Sequence, residues 1–152
     1  MEAIKIEIKM TDNKKKKKIL GIVCERSVDL KKHIKNNKLK DKENVVVVEM
    51  ICSGMIQPIM IEEAFKFGAD GVFVMGCQIG DCHFREGNKW CQERLLGQRP
   101  PNIKKTVDRK KMRGYWLAKC DYKKFMEKIN KFEEDLNNLP QTEITKPAEA
   151  KV

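Results

Sequence analysis

Residues 71–77 read Gly71-Val72-Phe73-Val74-Met75-Gly76-Cys77, an uncharged run that closes on a cysteine. A short, continuous apolar run of this kind predicts a strand buried on both faces, over 71–76. Upstream stand two more, Ile19-Leu20-Gly21-Ile22-Val23-Cys24 and Val45-Val46-Val47-Val48-Glu49-Met50. Before residue 71 lies a predicted helix. Pro58 suits its first turn, Ile61, Ala64 and Phe65 recur at helical spacing up to about Phe67, and Gly68 suits its C-terminal cap. Between the first two strands, Ser27 is placed to cap a helix reaching about Lys38, with Val28, Leu30 and Ile34 as a thin apolar face. Downstream, a loop leads to a helix from about Asn88 to Leu96, which Pro100-Pro101 stops. Tyr115–Ala118 reads as a fourth strand, and Phe125, Ile129, Phe132 and Leu136 mark the apolar face of a last helix ended by Pro140.

Strands that alternate with helices predict an α/β fold: three layers, with a mainly parallel four-stranded sheet and helices on both faces, flavodoxin-like or similar. The expected organisation is a flexible basic segment over 1–18, one domain over 19–139 and a disordered tail over 140–152. Right-handed crossovers place every strand's C-terminal end on one edge of the sheet, the edge where such folds bind ligands.

With 152 residues, 41% apolar and 36% charged, the chain is too apolar for wholesale disorder. No apolar run approaches the roughly 20 residues a membrane span needs, and the start lacks the apolar core of a signal peptide. A soluble cytoplasmic protein is expected, in which six cysteines are metal ligands, redox thiols or small core residues rather than disulfides. The net charge of +10 is uneven. Residues 14–42 hold 12 basic against 3 acidic residues, and 99–124 hold 10 against 2, while 43–98 hold 4 against 8. This pattern suits solvated surface or an acidic protein partner. It lacks the interleaved aromatics, helix-turn-helix or finger spacing of a nucleic-acid binder.

The predicted topology gathers thiols. Cys24 ends the first strand, Cys52 follows the second, Cys77 follows the third, and Cys82 lies five residues further on. Four convergent thiolates suit an iron–sulfur cluster or a structural zinc, although no Cys-x2-Cys pair of a zinc ribbon is present. Gly76 and Gly80 are expected to permit positive φ and leave room for an inorganic core. Cys91 and Cys120 read as packing or surface residues, His83 as a loop histidine and His33 as solvated. Trp90 and Trp116 read as core or interface anchors. No catalytic pair of side chains stands out, so no independent active site is expected.

Three blocks carry a specific resemblance: Cys52-Ser53-Gly54 with Pro58; Ala64-Phe65 with Gly68-Ala69-Asp70-Gly71-Val72; and Gly76-Cys77 with Gly80-Asp81-Cys82-His83-Phe84, Glu86, Gly87 and Asn88. Over about 19–136 the chain resembles the delta subunit of methyl-viologen-reducing hydrogenase, the small iron–sulfur protein that accompanies heterodisulfide reductase. The resemblance implies one [2Fe-2S] cluster on Cys24, Cys52, Cys77 and Cys82. It also implies electron transfer from a donor module (hydrogenase, formate dehydrogenase or similar) to the flavin-containing A subunit, the site of electron bifurcation. Where the family has a second cysteine in its first motif, this chain has Ser27, which leaves four matched thiols and none to spare. Two other readings are an adaptor, metal-stabilised or metal-free, that joins two enzymes, and a thiol redox enzyme using Cys77 and Cys82.

Overall fold

The computed structural model describes residues 16–31, 42–82, 84–118 and 122–139. Four strands, β1 (Ile19–Cys24), β2 (Val45–Met50), β3 (Gly71–Cys77) and β4 (Met112–Leu117), form one sheet in the order β2-β1-β3-β4. Every neighbouring pair is parallel. Among the described residues three α-helices of a full turn or more accompany it: α1 (Pro58–Lys66), α2 (Gly87–Leu95) and α3 (Tyr122–Asn138).

The central strand β3 is buried at every position, as its apolar run predicts. Its side chains alternate between two cores. Val72 and Val74 join Ile22, Ile61 of α1, and Cys91 and Leu95 of α2. Phe73 and Met75 join Val23, Val28 and Leu30, with Phe125, Ile129 and Phe132 of α3. Helices therefore cover both faces, which makes the three expected layers. Phe73 meets Phe132 edge to face, with centroids 6.0 Å apart. The 4, 3, 4 spacing on α3 is read correctly: Phe125, Ile129, Phe132 and Leu136 are all buried.

The strand order places a topological switch between β1 and β3. From β1 the chain moves outward to β2, then returns across β1 to β3. Crevices at the C-terminal ends of strands on either side of such a switch are the usual ligand sites of open α/β sheets.

Some boundaries differ from expectation. β4 begins at Met112, not Tyr115, because its register pairs Val72 with Met112 and Gly76 with Trp116. Arg113 and Gly114 carry no strand signal of their own and are recruited by β3. The valine-rich β2 is an edge strand, with Val46 60% and Val48 44% exposed. Leu30 and Lys31 are helical. The remainder of the helix expected to Lys38, with His33, lies outside the described residues, as do His83, Cys120, Pro140, segment 1–15 and the tail from 141.

Candidate functional site

Cys24 and Cys77 are the last residues of β1 and β3, the two strands that flank the switch. Their sulfurs lie 3.8 Å apart. Cys52 stands just beyond β2, at the N-cap of a 3-10 turn over Ser53–Met55, and Cys82 lies in the loop after β3. These two sulfurs lie 3.9 Å apart. All four predicted thiols thus share one edge of the sheet, arranged as two pairs. A tetrahedral site with metal–sulfur bonds of about 2.3 Å has an edge of about 3.8 Å, so each pair is spaced to grip one metal ion. Among the described residues no group of three or more Cys, His, Asp or Glu converges on a single ion.

The four thiols feel one another. Burial, and then the neighbouring Cys24, Cys82 and Cys52, push Cys77 up to about 12. Burial also raises Cys52, although the Gly54 N–H donates to its sulfur at 3.4 Å and offsets part of the effect. Cys82 goes the other way. Burial alone would raise it, but N–H groups of Asn88, Phe84 and Gly87, with the Cys52 thiol, hold it below the ordinary thiol value. The N-terminus of α2 and the turn before it therefore aim backbone donors at sulfur, as an anionic metal–sulfur centre requires.

Gly87 makes that approach possible. A Cβ there would lie 2.6 Å from Cys52 Sγ and 3.5 Å from Cys82 Sγ. Gly80 adopts φ +96 in the loop, as expected. Gly76 does not have a positive φ. Its hydrogen instead leaves space for Trp116 and the Ser53 hydroxyl, which a Cβ would approach to 2.5 and 2.8 Å, so the room it makes is for the protein's own side chains.

Three residues that sequence reasoning did not assign to the site brace it. Asn88, 1% exposed, donates from Nδ2 to the carbonyls of Cys77 (2.9 Å) and Gln78 (3.0 Å). Arg94 donates to the Gly54 carbonyl (2.9 Å) and straps α2 to the Cys52 turn. Ser27 was expected to cap a helix. Its buried hydroxyl instead donates to the Gly76 carbonyl (2.8 Å) and lies 3.2 Å from the Leu117 carbonyl, tying β1 to the ends of β3 and β4. Asn88 is visible in the sequence as part of the third block. Ser27 stands out there only as a helix cap and as the departure from the family's first motif, and Arg94 does not stand out before the sheet order is known.

Cys91 sits in the core at 1% exposure, where burial pushes it up to about 12, in keeping with a packing role. Trp90 is 41% exposed beneath the Arg99 guanidinium. An open apolar cleft of about 380 Å³, lined by Ile51, Met55, Phe84 and Trp90, borders Cys52. No helix among the described residues is long and apolar enough to cross a membrane.

The sequence profile of the family described as methyl-viologen-reducing hydrogenase, delta subunit, matches residues 19–140. Three relatives extend this. The chain is 35% identical over 95 residues (62% of this chain, 69% of the relative) to the iron-sulfur D subunit of the F420-non-reducing hydrogenase of Archaeoglobus profundus. It is 33% identical over 87 residues to the vhc iron-sulfur D subunit of the same enzyme type from Methanococcus voltae, covering 57% of this chain and 60% of that one. It is also 29% identical over 103 residues, 68% of this chain, to the A subunit of a ferredoxin/F(420)H(2)-dependent CoB-CoM heterodisulfide reductase of Methanosarcina acetivorans. There the match spans only 13% of the relative.

Proposed function

The chain belongs to the methyl-viologen-reducing hydrogenase delta-subunit family, and from that premise we propose that it is an electron-transfer subunit. In this reading Cys24, Cys52, Cys77 and Cys82 hold one [2Fe-2S] cluster. The chain stands between a donor oxidoreductase (hydrogenase, formate dehydrogenase or similar) and the flavin-containing A subunit of a heterodisulfide reductase-type complex. The observation that carries the reading is the division of the thiols into two pairs, at 3.8 and 3.9 Å. A two-iron cluster takes two thiolates on each iron, whereas a structural zinc takes all of its ligands on one ion. Relatives named as iron-sulfur subunits support the cofactor class. Two relatives named as the A subunit of a heterodisulfide reductase support that partner, because there the matching segment is 13% and 12% of a longer chain.

When bound, such a cluster supplies reversible one-electron transfer. The chain's residues hold and tune the site. The N–H groups of Gly54, Phe84, Gly87 and Asn88 face sulfur and favour its anionic form. Asn88, Arg94 and Ser27 fix the loops that carry Cys77, Cys52 and Cys24.

The test is anaerobic reconstitution with iron and sulfide. The expected outcome is about two irons per chain and a [2Fe-2S] absorption spectrum. A folded chain that takes up neither metal nor sulfide overturns the reading and leaves an adaptor joining two enzymes.

A further inference from the structure

A parallel sheet gathers the N-terminal ends of its strands as surely as the C-terminal ends. Segments 16–18, 42–44, 66–70 and 104–111 precede β1, β2, β3 and β4, so they meet on the edge opposite the thiols. Direct bonds stitch this edge together. The Lys18 N–H donates to Asp70 Oδ2 at 2.8 Å, Asn44 Nδ2 donates to the Lys17 carbonyl at 2.8 Å, and Ile19 N–H donates to the Asn44 carbonyl at 2.9 Å. The four segments hold ten basic against three acidic residues. At the thiol edge, segments 25–29, 51–57, 78–82 and 84–86 hold two basic against four acidic. Two basic regions far apart in the chain thus converge on one side of the molecule.

Part of this charge is compensated within the fold. Lys42 pairs with Glu133, Lys66 with Glu63 and Lys104 with Glu62. Lys105, Arg109, Lys110 and Lys111 enter no ion pair with another described residue, and all but Lys111 are well exposed. Phe67 lies on the same edge, just after α1, and is 87% exposed. Unpaired like charges on one edge attract an opposite charge, and an exposed aromatic ring beside them offers apolar area that a partner can bury.

We propose that this edge is a mooring site for the acidic surface of another protein subunit, with Phe67 as its apolar anchor. A single exposed aromatic within a cationic rim has the anatomy of a protein interface, an anchor surrounded by polar contacts. A single-strand nucleic-acid site stacks successive bases on several rings, and no second exposed ring stands on this edge among the described residues. A six-residue strand spans about 20 Å, so a partner moored here leaves the thiol edge open to a second one. The inference stands on charge and topology and does not depend on any cofactor.

The test begins with zero-length carbodiimide coupling of the native complex, purified anaerobically, which joins a lysine directly to a carboxylate in contact. The expected result is coupling of Lys105, Lys110 or Lys111 to Asp or Glu of another subunit. The variant Lys105→Glu/Lys110→Glu/Lys111→Glu should lose about tenfold of that subunit on co-purification at moderate salt, with its iron content unchanged. Phe67→Ala should weaken retention while preserving the coupling pattern. Overturning results are the absence of such couplings in the intact complex, full retention by the triple variant, or nucleic acid that binds the wild type and is released by the triple variant. Iron content reads the cofactor separately, so failure of the mooring site and failure of the cluster are distinguishable.

Discussion

At the C-terminal edge of the sheet, four thiols gather as two pairs, with backbone N–H groups facing Cys52 and Cys82 and apolar Ile51, Met55 and Phe84 beside Cys52. At the N-terminal edge, lysines and arginines share one side of the molecule with exposed Phe67. One sheet builds both, yet they are specified differently. The thiol edge depends on position: a Cβ on Gly87 would meet Cys52 Sγ at 2.6 Å. The basic edge depends on number, since screened surface charges act through their sum and tolerate exchange. A substitution at the first edge should therefore cost far more than one at the second.

The largest expected effect separates cysteines within the thiol side itself. Cys82→Ala should reduce reconstituted iron from about two per chain to near zero. Before metal is added, Cys82 should be alkylated ahead of Cys52 and Cys77 at neutral pH. Its depressed pKa gives it the larger thiolate fraction, while Cys77 stays protonated up to about 12. Peptide mapping after brief iodoacetamide treatment reads this, and faster labelling of Cys77 would refute the electrostatic account.

Next comes the close approach of the two loops. In Gly54→Ala the new Cβ would lie 2.8 Å from Gly87 Cα, backbone against backbone. The expected costs are about 1–3 kcal/mol in urea unfolding and a matching loss of iron retention. A variant with normal stability and normal iron would show that the turn has more room than the geometry allows.

Cys91→Ala sharpens the contrast from within the core. It should cost about 1–2 kcal/mol because a buried sulfur is removed, yet leave iron per chain unchanged. Iron loss equal to that of Cys82→Ala would make Cys91 a ligand and break the assignment.

At the basic edge the effects are small. Burial alone would raise Glu133, but hydrogen bonds from Lys42 and Asn44 hold its carboxyl below the ordinary 4.5. A depressed carboxylate contributes stability above its unfolded pKa, and that stability is lost as pH falls through the folded value. Glu133→Gln should therefore cost at most about 1 kcal/mol at neutral pH after solvent screening. The two chains should converge in acid below 4.5. Lys110→Glu alone should change stability by less than about 0.5 kcal/mol and leave iron untouched.

Much of this was readable in the sequence. The apolar run 71–77 and its two upstream companions, alternating with helical segments, made the parallel sheet predictable, although the same lack of polar alternation in β2 belongs to a partly exposed edge strand. The cysteines at 24, 52, 77 and 82 followed from that, since parallel crossovers bring strand ends together whatever their separation along the chain. Other features were not readable. The start of β4 at Met112 came from its register with β3, not from its own residues. The roles of Arg94 and Ser27 depend on which carbonyls lie opposite them.

Local pattern by itself determined the element types and the buried faces of β3 and α3. Each depends on spacing within a few residues. The division of the thiols into two pairs, the brace from Asn88, Arg94 and Ser27, and the convergence of residues 16–18 with 104–111 were decided by the tertiary structure. Those depend on strand order and on distances between segments remote in sequence, which no local pattern encodes.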